Sequence, residues 1–358
     1  MRNKVLTVLL LVGSLSLGAF MGELVLRFLG YRGAPESFMK NVRLVDDPII
    51  NWRYVPGSIV QEGRVINAYN SMGFRDVEHK ISKSSGMTRV IVLGDSVAEG
   101  GGVEWEHVFA SILQAELGTN YEVINLAMGG LNTPQEIHLL AREGLQYRPD
   151  LVILNFVLND CDFFTEYHAV QRYHAKKDST VGLLNIGVNP EFKRFLKSSA
   201  LIYFVKERLE DGLGRITGRE ETNYFQRIWT REDNRQKVVS GFEQLQFLQK
   251  QNGFQVVVII WPLLVNYKDY SFRLIHEWVM EQATSRGFSS IDLLDRFAAL
   301  SYRDLQVTAE DNVHPNGLGH KLGVEAFLEW HRMRRGVARI PGSPENDPGF
   351  GSTEHGPR

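Results

Sequence analysis

A serine stands directly after a run of apolar residues in the stretch Val90–Gly102, VIVLGDSVAEGGG. A serine hydroxyl becomes a nucleophile when a base takes its proton, a carboxylate orients that base, and donors stabilise the oxyanion. The segment EDNVHPNGLGH contains Asp311 and His314 at a spacing of three, just before a predicted helix near Pro315. On a turn, this spacing lets the carboxylate reach the imidazole of the same segment. The residue types therefore indicate nucleophilic catalysis by Ser96.

Two further positions offer hydrogen-bond donors for an oxyanion. Gly130, in INLAMGGLNT, presents a backbone N–H without a side chain, and Asn159, in LNFVLNDCD, presents an amide after a predicted strand. Each alone has an ordinary explanation, a turn glycine or a side chain that caps a loop. Their coincidence with a serine and an Asp-x-x-His pair favours a catalytic site.

Two other interpretations of the GDS sequence compete with a nucleophile. A phosphate-binding loop requires a lysine after its glycines, and none follows Gly100–Gly102; the dinucleotide fingerprint is not matched either. A plain strand-to-helix turn, capped by Asp95 or Ser96, stays open from this stretch alone. We interpret Asp95 as a support for the turn and the three glycines as loop flexibility.

The elements that must position these residues follow a βαβα pattern. Helix-like stretches lie near residues 105–118, 133–147, 236–251 and 268–286, and Gly118 and Gly253 are placed as C-terminal caps. Continuous Val, Ile and Leu runs are typical of strands buried on both faces of a parallel sheet. The pattern predicts an open α/β/α sandwich with function at the carboxyl ends of its strands. The predicted strands are Arg89–Gly94, Tyr121–Leu126, Asp150–Val157, Phe254–Trp261 and Ser289–Leu294.

In this order, GDS, the Gly130 turn, Asn159-Asp160 and DNVH resemble the SGNH (GDSL-type) hydrolase family over most of residues 89–330. The resemblance implies a flavodoxin-like three-layer α/β/α sandwich with a mainly parallel sheet. Val157 departs from the family pattern, which often has glycine there. The N-terminal apolar segment and NSMGFRD resemble a membrane-anchored subgroup of this family.

The same resemblance implies a role for each candidate residue. Ser96 is expected to be the nucleophile, His314 the general base and Asp311 the residue that orients it. The backbone N–H of Ser96, the backbone N–H of Gly130 and the Asn159 amide are expected to form the oxyanion hole. The implied reaction needs neither a metal nor an organic cofactor.

The N-terminus favours an uncleaved membrane anchor. Arg2 and Lys4 precede seventeen uncharged residues, Val5–Met21, close to the roughly 20 that cross a bilayer. The positive residues favour an inside N-terminus and an exported remainder. A cleaved signal peptide and a buried helix stay open, although SLGAF is a poor cleavage site.

Length and composition set the remaining limits. The 358 residues are 43% hydrophobic and 23% charged, which is typical of a globular protein, and a net charge of −2 gives no sign of a nucleic-acid partner. The single cysteine, Cys161, excludes an intramolecular disulfide and a cysteine-based zinc site. We predict a membrane segment (1–30), an irregular extension (31–88), a hydrolase domain (89–335) with an insertion (161–235), and a disordered tail (336–358).

These observations predict a single-pass, membrane-anchored serine esterase with a periplasmic or extracellular catalytic domain. Its expected substrates are acyl or acetyl esters on a small molecule, a lipid, or a cell-envelope or exported polysaccharide. Two alternatives stay open: an O-acyltransferase that uses the same site on polysaccharide, and a catalytically silent glycan- or lipid-binding module.

Overall fold

The computed structural model describes residues 2–29, 41–62, 65–162, 199–202, 204–205, 208, 221–309 and 311–335. Its strands are β1 (Val42–Leu44), β2 (Trp52–Tyr54), β3 (Ile59–Glu62), β4 (Val65–Ala68), β5 (Thr88–Gly94), β6 (Tyr121–Asn125), β7 (Leu151–Phe156), β8 (Gln255–Ile260) and β9 (Ser289–Asp292). Its helices are α1 (Arg2–Phe28), α2 (Ser96–Glu99), α3 (Phe109–Leu117), α4 (Thr133–Leu139), α5 (Glu221–Trp229), α6 (Glu232–Asn252), α7 (Arg273–Ser285), α8 (Leu294–Ala298), α9 (Tyr302–Leu305) and α10 (Gly317–Arg335).

Strands β5 to β9 form a five-stranded sheet in the order β6-β5-β7-β8-β9, and every neighbouring pair is parallel. All five predicted strands are confirmed. The chain leaves β5 to one side for β6 and then crosses to β7 on the other side. This order is that of flavodoxin-like sheets, in which the crevice at such a reversal is the usual binding site. The loops that follow β5 and β7 border that crevice here.

Helices cover both faces of the sheet because alternate side chains of each strand point to opposite faces. On β5, Ile91 and Leu93 belong to a core cluster that includes residues of α4, α6 and α7. Val90 and Val92 belong to a second cluster, with residues of α3, α8 and α10. The parallel sheet with helices on each side confirms the predicted α/β class.

The predicted helices also form, with different ends. The stretch 133–147 is α4 followed by a π turn (Leu140–Gly144) and a 3₁₀ turn (Leu145–Tyr147). The stretch 268–286 begins as a helix only at Arg273. Gly118 and Gly253 are C-terminal caps, and Gly253 has the left-handed conformation that such caps favour.

The N-terminal extension, described at residues 41–62 and 65–88, is more ordered than predicted. It contains two antiparallel pairs, β1 with β2 and β3 with β4. Trp52 and Tyr54 alternate with Arg53 and are buried in the cluster that holds α4 and α6. The expectation of an irregular extension is therefore wrong, because strands of three or four residues carry too little periodicity to stand out in the sequence.

An ion-pair cluster attaches this extension to the edge strand β6. His79 Nε2 lies 3.0 Å from Asp76 Oδ2, and His79 Nδ1 lies 2.9 Å from Glu122 Oε1. Arg89 donates to Glu122 Oε2 at 2.7 Å, and Asp76 Oδ2 accepts the backbone N–H of Asn125 at 2.7 Å. Asp76 and His79 thus bind the extension to the edge strand β6, and Arg89 joins β6 to its neighbour β5.

Three predicted segments have a different outcome. Within the described part of the chain, no helix has the length and apolarity required to cross a membrane. The predicted transmembrane helix is therefore not confirmed. Much of the predicted insertion (161–235) and the whole predicted tail (336–358) lie outside the described residues.

Candidate active site

Ser96 is the first residue of α2, immediately beyond the end of β5. Asp95 caps this helix, since its Oδ1 accepts the backbone N–H of Val97 at 2.8 Å. The N–H of a first helical residue has no acceptor inside its own helix. Ser96 therefore presents its hydroxyl and its backbone N–H together at the carboxyl edge of the sheet.

The structure brings Ser96, His314 and Asp311 into one hydrogen-bonded chain. His314 Nε2 lies 2.9 Å from Ser96 Oγ. The other ring nitrogen, Nδ1, lies 3.0 Å from Asp311 Oδ2 and 3.1 Å from Oδ1. In a neutral imidazole one nitrogen donates and the other accepts. A carboxylate at Nδ1 places the proton there and leaves Nε2 to accept the serine proton.

Backbone hydrogen bonds hold the loop that carries the imidazole. Leu264, just beyond β8, donates its N–H to the Asn312 carbonyl at 2.7 Å, and Val307 donates to the His314 carbonyl at 3.1 Å. Asp311 Oδ1 accepts the N–H of Val313 at 3.0 Å and of His314 at 2.9 Å. The turn from Asp311 to His314 thus fixes the carboxylate and the imidazole relative to each other.

Asp311 stays ionised in this arrangement. Burial alone would raise the pKa of its carboxyl group. Hydrogen bonds from the His314 ring and backbone and from the Val313 backbone outweigh burial and lower that pKa below its usual value. A charged carboxylate at this point stabilises the imidazolium that forms when His314 takes a proton.

Asn159 lies in the turn after β7 and is held by the helix cap of Ser96. Its Nδ2 donates to Asp95 Oδ2 at 2.9 Å, and an amide nitrogen carries a second hydrogen for another acceptor. Asp160 closes the same turn, because its Oδ2 accepts the Val157 N–H at 2.8 Å. Asp160 thus anchors the loop that carries Asn159. Asp95 therefore contacts both the serine helix and the candidate oxyanion donor.

Gly130 lies in the turn after β6, directly after Gly129. Met128 donates its N–H to the Gly94 carbonyl at 3.1 Å and so ties the turn to the end of β5. Gly129 packs against Ser96: an added Cβ there would lie 3.5 Å from the serine Cβ. The structure thus gathers Ser96, Gly130 and Asn159 at the ends of three adjacent strands.

Gly101 has a steric role that sequence reasoning missed. A Cβ on Gly101 would lie 3.3 Å from Cδ2 and 3.7 Å from Nε2 of His314, and 3.3 Å from the Ser96 carbonyl oxygen. Its N–H also donates to that carbonyl at 2.8 Å. The interpretation of the glycine run as mere loop flexibility is wrong for this position, which allows the imidazole to approach the serine helix.

Two other residues near the site have buried positions. Cys161 is fully buried, and burial raises the pKa of its thiol, which leaves it unreactive. His320 is buried in α10, and its Nδ1 accepts the Phe109 N–H at 3.3 Å. Burial lowers the pKa of His320 to about 3, so this ring stays neutral. Among the described residues, no cluster of three or more His, Cys, Asp or Glu could hold a metal ion.

Comparison with known proteins identifies the family. Residues 92–322 match the GDSL-like lipase/acylhydrolase family. The chain belongs to this family. The match covers more than half of the chain and includes Ser96, Gly130, Asn159, Asp311 and His314, and membership makes the protein a hydrolase of ester bonds. No curated protein sequence matches the chain.

Several solved structures resemble the chain at low sequence identity. An acetyl xylan esterase, AlAXEase, is 18% identical with a TM-score of 0.40, over 68% of this chain and 98% of that one. The lipase/acylhydrolase from Enterococcus faecalis is 16% identical with a TM-score of 0.39, over 69% and 97%. Axe2, an acetylxylan esterase from Geobacillus stearothermophilus, is 14% identical with a TM-score of 0.40, over 68% and 94%.

Proposed function

We propose that the protein is a serine esterase that removes acyl or acetyl groups by a double-displacement mechanism. Ser96 Oγ attacks the ester carbonyl carbon while His314 Nε2 takes the hydroxyl proton. The tetrahedral intermediate then expels the alcohol, which receives that proton from His314. Water attacks the resulting acyl-enzyme with the same base, and the acid leaves as Ser96 is restored.

The observation that carries this proposal is the continuous contact from Asp311 through His314 to Ser96, at 3.0 and 2.9 Å. The oxyanion is assigned to three donors: the backbone N–H of Ser96, the backbone N–H of Gly130 and the Asn159 amide. Because Asp95 holds one hydrogen of that amide, the other is directed before substrate binds. Such preorganised donors supply a large part of the rate enhancement of acyl transfer.

The proposed substrates are short acyl esters carried by a polysaccharide or a lipid. A panel of p-nitrophenyl esters of increasing acyl length measures this preference directly. Wild-type protein is expected to hydrolyse at least one of them, and Ser96→Ala is expected to lose about 10³-fold or more of kcat. Equal rates for the two proteins would remove Ser96 from the mechanism. If the wild type hydrolyses none of these esters and a fluorophosphonate, which reacts with activated serines, does not label Ser96, the result would favour the catalytically silent binding module.

An O-acyltransferase would form the same acyl-enzyme and differ only in the acceptor. The two reactions are separated by supplying an acetyl donor with and without a polysaccharide acceptor. The esterase proposal expects free acetate at the same rate in both reactions. Acetate release that falls while acetylated acceptor accumulates would assign the protein as a transferase.

The location of the protein belongs to the same proposal: attachment to a membrane by the N-terminal segment, with the catalytic domain periplasmic or extracellular. Its support is the uncharged stretch Val5–Met21 behind Arg2 and Lys4, together with the exposed leucines of α1, such as Leu10 and Leu15. Cell fractionation with protease treatment of intact cells tests it. Recovery in the soluble cytoplasmic fraction would contradict attachment and export.

A further inference from the structure

Two tyrosines of the N-terminal extension reach a carboxylate of the serine helix. Tyr54, the last residue of β2, donates its hydroxyl to Glu99 Oε2 at 3.0 Å. Tyr69, directly after β4, donates its hydroxyl to Glu99 Oε1 at 3.1 Å. All three side chains are buried, and the two rings lie 4.4 Å apart. Glu99 is the last residue of α2, so the extension contacts the helix that begins with Ser96.

Glu99 also binds the turn that carries a candidate oxyanion donor. Its Oε2 accepts the backbone N–H of Gly129 at 2.6 Å. The approach is too close for a side chain, because a Cβ on Gly129 would lie 2.9 Å from Glu99 Oε2 and 3.1 Å from the Tyr54 hydroxyl. The next residue is Gly130. The orientation of the Gly130 N–H therefore depends on a peptide that Glu99 holds.

The charge of Glu99 is set by a small group of neighbours. Burial raises the pKa of Glu99 to about 7, and four groups limit the rise: the Gly129 N–H, the Tyr54 hydroxyl, the Arg75 guanidinium and the Tyr69 hydroxyl. Arg75 is buried and donates to the backbone carbonyls of Glu99 and Gly100, at 3.2 and 2.6 Å. Glu99 therefore changes its charge close to neutral pH.

We propose that Glu99 is a positioning residue of the hydrolytic site: its carboxylate, oriented by Tyr54 and Tyr69, holds the Gly129–Gly130 turn so that the Gly130 N–H faces the oxyanion at Ser96. This inference rests on the proposed esterase function and assigns a role to the N-terminal extension. A charged carboxylate accepts a hydrogen bond more strongly than a neutral acid or amide does. Protonation of Glu99 loosens the turn and slows the chemical step, with little effect on KM.

The test compares kcat of the wild type and Glu99→Gln across pH 5.5 to 9. The substitution keeps the size of the side chain and removes its charge. Above pH 8 the wild type is expected to be about five- to tenfold faster, the difference between a charged and a neutral hydrogen bond. Below pH 6 the two rates converge, because the wild-type carboxyl is then neutral as well. Both proteins keep Ser96, His314 and Asp311, so the ratio of their kcat values reports the contribution of the Glu99 carboxylate.

Glu122→Gln is the matched control. Glu122 is an acid that likewise contacts the extension, but it faces Arg89 near the start of β5. Ser96 lies beyond the other end of that strand, about 20 Å away at the rise of a strand. Glu122→Gln is expected to lower the Tm, and the ratio of wild-type kcat to its kcat is expected to be independent of pH. The inference would be overturned if the ratio of wild-type kcat to Glu99→Gln kcat did not change with pH, or if it stayed close to one from pH 5.5 to 9. If Ser96→Ala also keeps full activity, the esterase function itself fails.

A second pair of variants tests the tyrosines and does not depend on the folding of Glu99→Gln. Tyr54→Phe and Tyr69→Phe keep the buried rings and remove one donor to Glu99 each. Losing a donor to the charged form raises the pKa of the acid. In each variant the pH at which kcat falls on acidification is therefore expected to move upward, with KM unchanged. An unmoved kcat profile in both variants would contradict the role of the extension.

Discussion

The substitution Asp311→Asn separates the effect of the carboxylate charge on the His314 tautomer from the structural role of the side chain in the turn. Asp311 Oδ1 accepts two backbone N–H groups, of Val313 and His314, and Oδ2 lies 3.0 Å from His314 Nδ1. An asparagine keeps one oxygen for the backbone donors and places an NH₂ group opposite Nδ1. The turn persists, but Nδ1 must now accept, so the ring proton moves to Nε2. That nitrogen then faces Ser96 Oγ as a donor and cannot take its proton.

The expected cost follows from this tautomer change. An imidazole held in the wrong tautomer lowers kcat of a Ser-His-Asp site by about 10⁴-fold. The cost to folding is far smaller, since the asparagine oxygen still accepts the backbone N–H groups of Val313 and His314. Loss of one charged hydrogen bond, about 2 kcal/mol, lowers the Tm by roughly 4–8 °C in a domain of this size.

The assay is kcat for the best p-nitrophenyl ester from pH 5 to 10, with the Tm measured in the same buffers. Asp304→Asn is the matched control, because its side chain is exposed on α9 in the preceding segment; it should keep wild-type kcat. A folded Asp311→Asn protein with kcat within tenfold of the wild type would refute the assignment of Asp311 as the residue that orients His314.

Three further outcomes are expected. Gly101→Ala places a methyl group 3.3 Å from the His314 ring and should lower kcat about tenfold without changing KM; an unchanged kcat would show that the ring needs no glycine. Asn159→Ala removes one oxyanion donor and should lower kcat about 100- to 1000-fold in a protein that still folds, with a lower Tm because the buried Asp95 Oδ2 loses a donor; kcat within a few-fold of the wild type would exclude it from the oxyanion hole. Burial alone would lower the pKa of His79, but its two carboxylate partners raise it, so its stabilisation is complete below about pH 6.5 and is lost as pH rises through the raised pKa. His79→Gln should therefore lower the Tm by about 2–4 °C at pH 6 and by less at pH 9, and an equal loss at both pH values would contradict this ion-pair argument.

The sheet could be predicted from the sequence because its strands are buried on both faces. Runs such as VVVII and LVIL have no polar interruption, and that composition belongs to parallel strands between two helix layers. The order of the strands in the sheet cannot be predicted from these runs, because it depends on pairing between strands that lie about 30 to 100 residues apart in the sequence. The family resemblance supplied it here. The short strands β1 to β4 were missed because three or four residues carry too little periodicity.

The site residues could be predicted where a single residue type does the chemistry. Ser96 follows the end of β5, and Asp311 and His314 lie on a loop that is hydrogen-bonded to the segment after β8. The three residues therefore meet at the same edge of the sheet. Glu99 was missed for a physical reason: in the sequence it is one polar residue in a short turn. Its importance arises from burial and from tyrosines 30 and 45 residues away. Gly101 was missed likewise, because its close approach to an imidazole 213 positions along the chain is visible only in three dimensions.

The central claim is that Ser96 is an activated nucleophile, and covalent labelling tests it most directly. Purified protein is treated with a fluorophosphonate, which reacts with activated serines, and the modified peptide is located by mass spectrometry. The account predicts a single adduct on Ser96, no adduct in Ser96→Ala, and much slower labelling in His314→Ala. Labelling at another residue, or at an equal rate in His314→Ala, would contradict it.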